Sequence, residues 1–275
     1  MRDTPAELLR RHGLKAKHSW GQNFLGDPDW LARIAQSLGL APGEVVVELG
    51  AGLGHLTRAL MDTGASVVAV ERDRDLAAIL RAFEWERLSV CEADAARVEF
   101  AQVAGVSPVA VAGNLPYHLS SSILFQVLRQ QASVSRAVFT LQKEVVDRLV
   151  SPPGGRDYGL LPALLGLYFD LEPIGTLRSH LFFPPPKVDS AVIRLTALLR
   201  PRATVTSLEH FIAVVKAGFS QRRKTLANAL KAVPAMGGAE RVTKALEVAQ
   251  LDGVRRAETL SSVEFAALER ALAGI

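Results

Sequence analysis

Three side chains that can accept hydrogen bonds, Glu71, Asp94 and Asn114, each follow a short apolar run rich in valine and alanine: SVVAV, LSVC and VAVA. Such runs have the pattern of strands buried in a parallel sheet. A side chain just past such a strand faces the crevice where open α/β sheets bind ligands. Ahead of all three lies VVVELGAGLGHLT at 45–57, a strand pattern that turns through Gly50, Gly52 and Gly54 into a helical one. Glycine allows positive φ and lets a ligand approach the backbone closely. The turn is therefore expected to aim N–H groups out of the sheet edge. Glu71 lies about twenty residues after it, where a carboxylate can accept from both hydroxyls of a ribose. Asp94 can accept from an adenine amino group, or can simply cap the helix that follows.

The spacing narrows the ligand. A dinucleotide turn reads G-x-G-x-x-G because a pyrophosphate rests on the helix N-terminus. Here the glycines run G-x-G-x-G behind Glu48, and His55 stands where the last dinucleotide glycine would fall. That pattern is similar to the E-x-G-x-G-x-G turn of S-adenosylmethionine-dependent methyltransferases. Another nucleotide site, or a ligand-free connection, is compatible with the turn taken alone.

These residues need a scaffold, and the chain has the means to build one. Its 275 residues allow one large core and a smaller domain. Apolar residues make up 49% of the sequence, enough for a globular fold. The net charge of +4 permits a polyanionic partner. A single cysteine, Cys91, excludes an internal disulfide and a cysteine-rich zinc site, and no metal is expected. Cys91 reads as a buried strand residue. No signal-peptide core opens the chain, and the apolar run 160–169 is too short for a membrane helix, so a cytoplasmic setting is expected.

In order, residues 1–26 form a basic arm with a short helix near 5–12, either a solvated terminus or, through GQNFL at 21–25, part of the site. Residues 27–200 read as the sheet domain. Asp27 and Pro28 start its first helix, 27–40, and Gly64 ends the second. Ser120–Ser122 are candidate caps of the helix after GNLPY. LLPALLGLYF at 160–169 reads as helical. FFPPPKVDS at 182–190 is a stiff loop feeding a last strand, in an antiparallel hairpin at the end of the sheet. Residues 201–275 read as helical, with capping boxes at Thr206/Glu209 and Ser261/Glu264. Within them, KAGFSQRRKTLANALK holds Lys216, Arg222, Arg223, Lys224 and Lys231 and no acidic residue. That lack of compensation favours a phosphate-binding face over a merely solvated one.

The motifs converge on one family. GQNFL, ELGAGLGHLT, GNLPY at 113–117, LQKEVVDRLV at 141–150, FFPPPKVDSAVIRL at 182–195, FSQRRKTLANAL at 219–230 and RAETLS at 256–261 occur in an order and spacing that span nearly the whole chain. The chain resembles the KsgA-type small-subunit rRNA adenine dimethyltransferases. The resemblance implies an α/β fold, a Rossmann-like seven-stranded methyltransferase sheet with a small C-terminal helical RNA-binding domain. It implies S-adenosyl-L-methionine as cofactor and transfer of two methyl groups to N6 of each of two adjacent adenosines near the 3′ end of 16S rRNA. The substrate would be a pre-30S particle, with a role in ribosome biogenesis, and the enzyme a monomer. Carried over by position, Asn23, Leu25, Gly50, Glu71, Asp94 and Asn114 would bind cofactor. Asn114 and the Leu115 carbonyl would accept from N6, while Tyr117 and Phe182 would stack on the base. Arg222, Arg223 and Lys224 would bind RNA. Ala51, Ala93 and His118 depart from common family residues, as does Trp20 before GQNFL.

Three other readings compete. A large-subunit adenine methyltransferase of the macrolide-resistance type shares the glycine turn and an NLPY-like loop. A non-catalytic ribosome-assembly factor would not need Glu71 or Asn114. A small-molecule methyltransferase would not need the basic segment.

Overall fold

A computed structural model describes residues 3–275. By internal contacts the chain divides into two compact units. The first runs to Val146 and resumes at Glu172–Ala197; the second comprises Asp147–Leu171 and Leu198–Ile275. The sequence-based division at residue 200 thus differs over 147–171, a stretch inserted between strands of the sheet that packs with the helices beyond 198.

The first unit contains α1 (Pro5–Arg11), β1 (Phe24–Leu25), α2 (Pro28–Ser37), β2 (Val45–Leu49), α3 (His55–Asp62), β3 (Ser66–Val70), α4 (Arg74–Ala82), β4 (Leu88–Cys91), α5 (Phe100–Ala104), β5 (Val109–Asn114), α6 (Ser120–Arg129) and β6 (Val134–Gln142). After α7 (Lys143–Leu149) and α8 (Leu160–Leu165) come β7 (Phe169–Leu177), β8 (Phe182–Phe183) and β9 (Ser190–Ala197). Seven strands form one sheet in the order β4-β3-β2-β5-β6-β9-β7. The pairs among β4, β3, β2, β5 and β6 are parallel, and β9 is antiparallel to β6. The strand order reverses between β2 and β5. Their carboxyl ends form the switch point at which such sheets bind ligands.

Several local expectations hold. Asp27 caps α2 by accepting from the Trp30 N–H at 2.9 Å, with Pro28 in the first turn. Leu31 and Ile34 are buried on its inner face, and Leu38 is buried at its C-cap. Others are corrected. α2 ends at Ser37 because Gly39 turns the chain at positive φ. None of Ser120–Ser122 caps α6; Ser120 is its first residue, and the N-cap is Leu119. Cys91 ends the edge strand β4 and is only partly buried. The apolar 160–169 segment is helical only to Leu165, and Phe169 already belongs to β7. β7 was hidden because Pro173 and Gly175 interrupt its pattern; Pro is tolerated there because β7 is an edge strand.

The second unit is helical: α8, α9 (Leu208–Phe219), α10 (Leu226–Lys231), α11 (Gly238–Val248) and α12 (Ser262–Gly274), around buried Phe211, Leu226, Val242 and Phe265. The Ser261/Glu264 capping box is present, with reciprocal bonds of 2.8 and 3.2 Å. The one expected at Thr206/Glu209 is not. Thr206 is drawn to the buried Glu269 carboxylate of α12 through both its N–H and its hydroxyl. Ser207 caps α9 instead, accepting from the His210 N–H at 3.0 Å. Arg255, the residue before RAETLS, fastens that segment: its guanidinium donates to Thr259 O at 2.6 Å and to Glu264 Oε1 at 2.5 Å. Among the described residues no helix is long and apolar enough to cross a membrane.

Candidate active site

At the switch point of the first unit lies a cavity of about 230 Å³. Its lining includes Asn23, Leu25, Gly50, Glu71, Asp94, Asn114, Leu115, Tyr117 and Phe182. These are all the cofactor and catalytic candidates read from the sequence. They arrive from six places in the chain, each at a strand end or in the turn beside it.

The glycine turn works differently from the simple expectation. Gly50, Gly52 and Gly54 all have positive φ. The Gly50 N–H, however, stays on the sheet, donating to Val70 O at 2.8 Å. The Gly52 N–H, which a phosphate would need, donates to Glu71 Oε2 at 2.8 Å. Glu71 Oε1 accepts from the Asp73 N–H, also at 2.8 Å. The carboxylate is thus fixed by two backbone donors and keeps lone pairs for a ligand's hydroxyls. Burial pushes its pKa up, while those N–H bonds pull it down. A side chain on Gly52 would press on the Phe24 ring at 3.0 Å, so the turn packs tightly against β1.

Asp94 does not cap the helix that follows, because α5 begins at Phe100 with Glu99 as its N-cap. Asp94 Oδ1 accepts from the Ala96 N–H at 3.0 Å, shaping the turn, and the residue also lines the cavity. Asn114 is the last residue of β5. Its Nδ2 donates to the Asn23 carbonyl at 2.8 Å. That bond fixes the amide and leaves Oδ1 as its remaining acceptor. Gly113 permits this geometry, since a Cβ there would lie 2.7 Å from Leu49 O. Tyr117 is half-buried, and its hydroxyl is 2.7 Å from Ser190 Oγ. Phe182 is 4% exposed and pairs across β1–β8 with Leu25, whereas Phe183 is 42% exposed. Phe182 therefore forms part of the cavity wall and of the core beside it.

The arm is part of this unit. Leu8 and Leu9 are buried. Lys17 Nζ bonds Asp73 Oδ1 at 2.8 Å and Asp75 Oδ2 at 2.9 Å, and Gln22 Nε2 donates to Asp73 Oδ2 at 2.9 Å. Burial opposes the charge on Asp73, but the bonds from Lys17 and Gln22 outweigh it and hold its pKa below the usual range. Trp20 lines the cavity and has two cations over its ring, Arg72 at 4.4 Å and Lys17 at 5.2 Å from the ring centre. Sequence reasoning passed over Lys17, Asp73 and Ser190 in this site. The Glu71-x-Asp73 spacing was the available signal for one of them.

Glu48 is buried beneath the turn, with Thr57 donating to its Oε2 at 2.5 Å. Burial, with the neighbouring Glu71 adding to it, pushes its pKa from 4.5 to about 8. Between those values the unfolded chain releases a proton that the folded chain keeps. Stability therefore falls as pH rises through that window, by up to about 1.4 kcal/mol per pH unit. Glu48→Gln keeps a hydrogen-bonding partner for Thr57 and has no charge to lose. Its melting temperature should gain on the wild type steadily from pH 5 to pH 8. An unchanged gap between the two melting curves would refute a neutral Glu48.

The donors and acceptors decide what the cavity holds. Two carboxylates face it for hydroxyl and amino donors, and the glycine N–H groups are taken, so it suits an adenosine that carries no phosphate. A seven-stranded sheet with an antiparallel penultimate strand and this cavity defines an S-adenosylmethionine-dependent methyltransferase. Comparison with known proteins narrows the class. The chain belongs to the ribosomal RNA adenine dimethylase family, whose model matches residues 13–268. It is similar to ribosomal RNA small subunit methyltransferase A of Myxococcus xanthus (strain DK1622), 59% identical over 270 residues, 98% of this chain and 95% of that one. The crystal structure of 23S rRNA methyltransferase ErmE matches with a TM-score of 0.67 and 29% identity, covering 91% of this chain and 100% of that one. A dimethyladenosine transferase from Plasmodium falciparum shares the fold, with a TM-score of 0.73 and 22% identity, over 89% of this chain and 95% of that one.

Arg222, Arg223 and Lys224 lie elsewhere, in the second unit, on the exposed turn between α9 and α10.

Proposed function

We propose that this chain dimethylates N6 of two adjacent adenosines near the 3′ end of 16S rRNA in a pre-30S particle. It acts as a cytoplasmic monomer and contributes to ribosome biogenesis. The observation that carries the reading is the Asn114 amide. Its nitrogen is committed to Asn23 O, so its oxygen is the acceptor for a substrate N–H in the cavity that also holds Glu71 and Asp94.

S-adenosylmethionine supplies an electrophilic methyl group on a sulfonium that becomes neutral on transfer. Glu71 would accept from the ribose hydroxyls and Asp94 from the adenine amino group, Gly50 would lie against the methionine part, and Asn23 and Leu25 would touch the cofactor from the arm. The target N6 is a poor nucleophile because its lone pair is delocalised into the ring. Asn114 Oδ1 and the Leu115 carbonyl accept its hydrogens and favour a pyramidal nitrogen. Tyr117 and Phe182 stack on the base. Such stacking is worth about 1–3 kcal/mol per base and offsets the cost of extruding it. The rest is positioning.

Arg222, Arg223 and Lys224 contact phosphates. Replacing all three by Ala should weaken RNA binding and flatten its dependence on log salt by about 2 to 3, at roughly 0.7–0.9 per phosphate lost. A salt titration that superposes on the wild type would remove them from the interface.

The deciding experiment is methyl transfer from labelled S-adenosylmethionine to under-methylated small subunits, large subunits and naked rRNA in parallel, with digestion to nucleosides. Dimethyladenosine from small subunits alone is the expected result. The resemblance to ErmE makes the large-subunit arm the relevant control, and label there would overturn the proposal. Cofactor binding without transfer to any RNA would leave a non-catalytic assembly factor.

A further inference from the structure

We propose that Ser190 is a positioning residue for the target base, holding the Tyr117 ring in its stacking attitude through the hydroxyl at the far end of the ring. The inference rests on the stacking reading of Tyr117 given above. A tyrosine attached only at Cα can swing about two side-chain torsions, so its ring plane is a loose platform. Here the distal end is fixed too: Tyr117 Oη lies 2.7 Å from Ser190 Oγ. Ser190 is fully buried, and it is the first residue of β9, in register with Gln142 of β6.

The residue before it makes the anchor rigid. The Asp189 carbonyl accepts from the Lys143 N–H at 3.0 Å. Its carboxylate accepts from the Ser179 N–H at 3.1 Å and pairs with Arg178 at 2.8 Å. Asp189-Ser190 is thus tied to the strand end at 142–143 and to the approach to β8 before Ser190 reaches Tyr117. Two loops 73 residues apart, GNLPY and PPPKVDS, are joined by this one bond. The burial that raises the Tyr117 pKa keeps the hydroxyl protonated and able to donate.

Dimethylation gives the clamp a particular use. The second transfer starts from a bulkier amine with one fewer N–H to hold, so it depends more on the base platform than the first does. Loosening Tyr117 should slow the second transfer more than the first.

The test uses the full chain, S-adenosylmethionine and under-methylated small subunits, with Ser190→Ala, Tyr117→Phe, the double variant, Ser190→Thr and Tyr117→Ala. Ser190→Ala and Tyr117→Phe delete the same bond from opposite sides. Each should lower kcat/KM for RNA by roughly tenfold, given the steep dependence of transfer on alignment. The double variant should be no worse than either, cofactor affinity should be unchanged, and Ser190→Thr should recover activity. The product from Ser190→Ala should hold a larger share of N6-monomethyladenosine. Wild-type kinetics for Ser190→Ala, or a double variant showing the product of the single losses, would overturn the clamp. Wild-type kinetics for Tyr117→Ala would instead overturn the stacking role itself.

Discussion

Asn114→Ala should lower the turnover of methyl transfer by about 10²–10³-fold, the range seen when one preorganised hydrogen-bonding group is removed from a reacting centre. Affinity for S-adenosylmethionine should change far less. The acceptors proposed for the cofactor's ribose and adenine, Glu71 and Asp94, stay on their own backbone donors, Gly52, Asp73 and Ala96. The split matters because Asn114 has two jobs. Its Nδ2 holds Asn23 O, and its Oδ1 is the proposed acceptor for N6. Asn114→Asp separates them: an acceptor oxygen remains, but a carboxylate now faces the Asn23 carbonyl and repels it. If only the N6 contact mattered, Asp would retain much of the activity that Ala loses. If the tie to the arm matters as well, Asp should also be slow and should bind cofactor more weakly than Ala does. Single-turnover rates with saturating RNA, beside cofactor titration, distinguish these outcomes. Survival of Asn114→Ala turnover within a few-fold of wild type would remove the side chain from the chemistry.

The cavity was legible in the sequence because each of its candidate residues ends a strand pattern or lies in a turn that glycine or proline marks. Val45–Leu49, Ser66–Val70 and Val109–Asn114 are short apolar strands whose ends coincide at one sheet edge once the order β3-β2-β5 is formed. Local pattern and topology therefore imply proximity without any side-chain knowledge. What stayed hidden was every bond made by side chains far apart in the chain. Lys17 and Gln22 reach Asp73 across more than fifty residues, and Tyr117 reaches Ser190 across seventy-three. Thr206 left its expected cap because a buried carboxylate sixty-three residues on, Glu269, was the stronger partner. The direction of the glycine N–H groups was also misjudged. An N–H beside a fixed carboxylate bonds to it, and the sequence spacing of Gly52 and Glu71 does not display that contact. By contacts, residues 147–171 group with the second unit, and the sequence does not display this because an insertion between strands looks continuous with the sheet that flanks it.

The hidden contacts of the first unit share a pattern: they fasten the loops that carry the candidate residues. The Asp73 knot holds the arm, the arm's Asn23 carbonyl holds Asn114, and Ser190 holds Tyr117. A transfer reaction with no covalent intermediate gains most from such fixed geometry. The same reasoning gives Glu71 its place, since it shapes the glycine turn before any cofactor arrives.

Glu71→Ala should raise the dissociation constant for S-adenosylmethionine by at least about 10²-fold. Two hydrogen bonds from ribose hydroxyls to a charged acceptor are lost, each worth about 1.5–3 kcal/mol. The Gly52 and Asp73 N–H groups also lose their partner, so the turn relaxes. Glu71→Gln is not a mild change here. A carboxylate offers an oxygen to each of those two N–H groups, but an amide offers one oxygen and one NH₂, so one backbone donor faces another. Its affinity should therefore lie nearer to Ala than to the wild type. The pH dependence supplies an independent check. Binding needs the ionised carboxylate, and burial holds the Glu71 pKa above its ordinary value. As pH falls, wild-type affinity should begin to weaken at a higher pH than a solvated glutamate would allow. Glu71→Gln should lack that phase. Calorimetric titration of wild type and Glu71→Gln with S-adenosylmethionine across acidic pH measures both effects. A Glu71→Gln variant that binds as tightly as the wild type, with the same pH profile, would show that the ribose is held elsewhere.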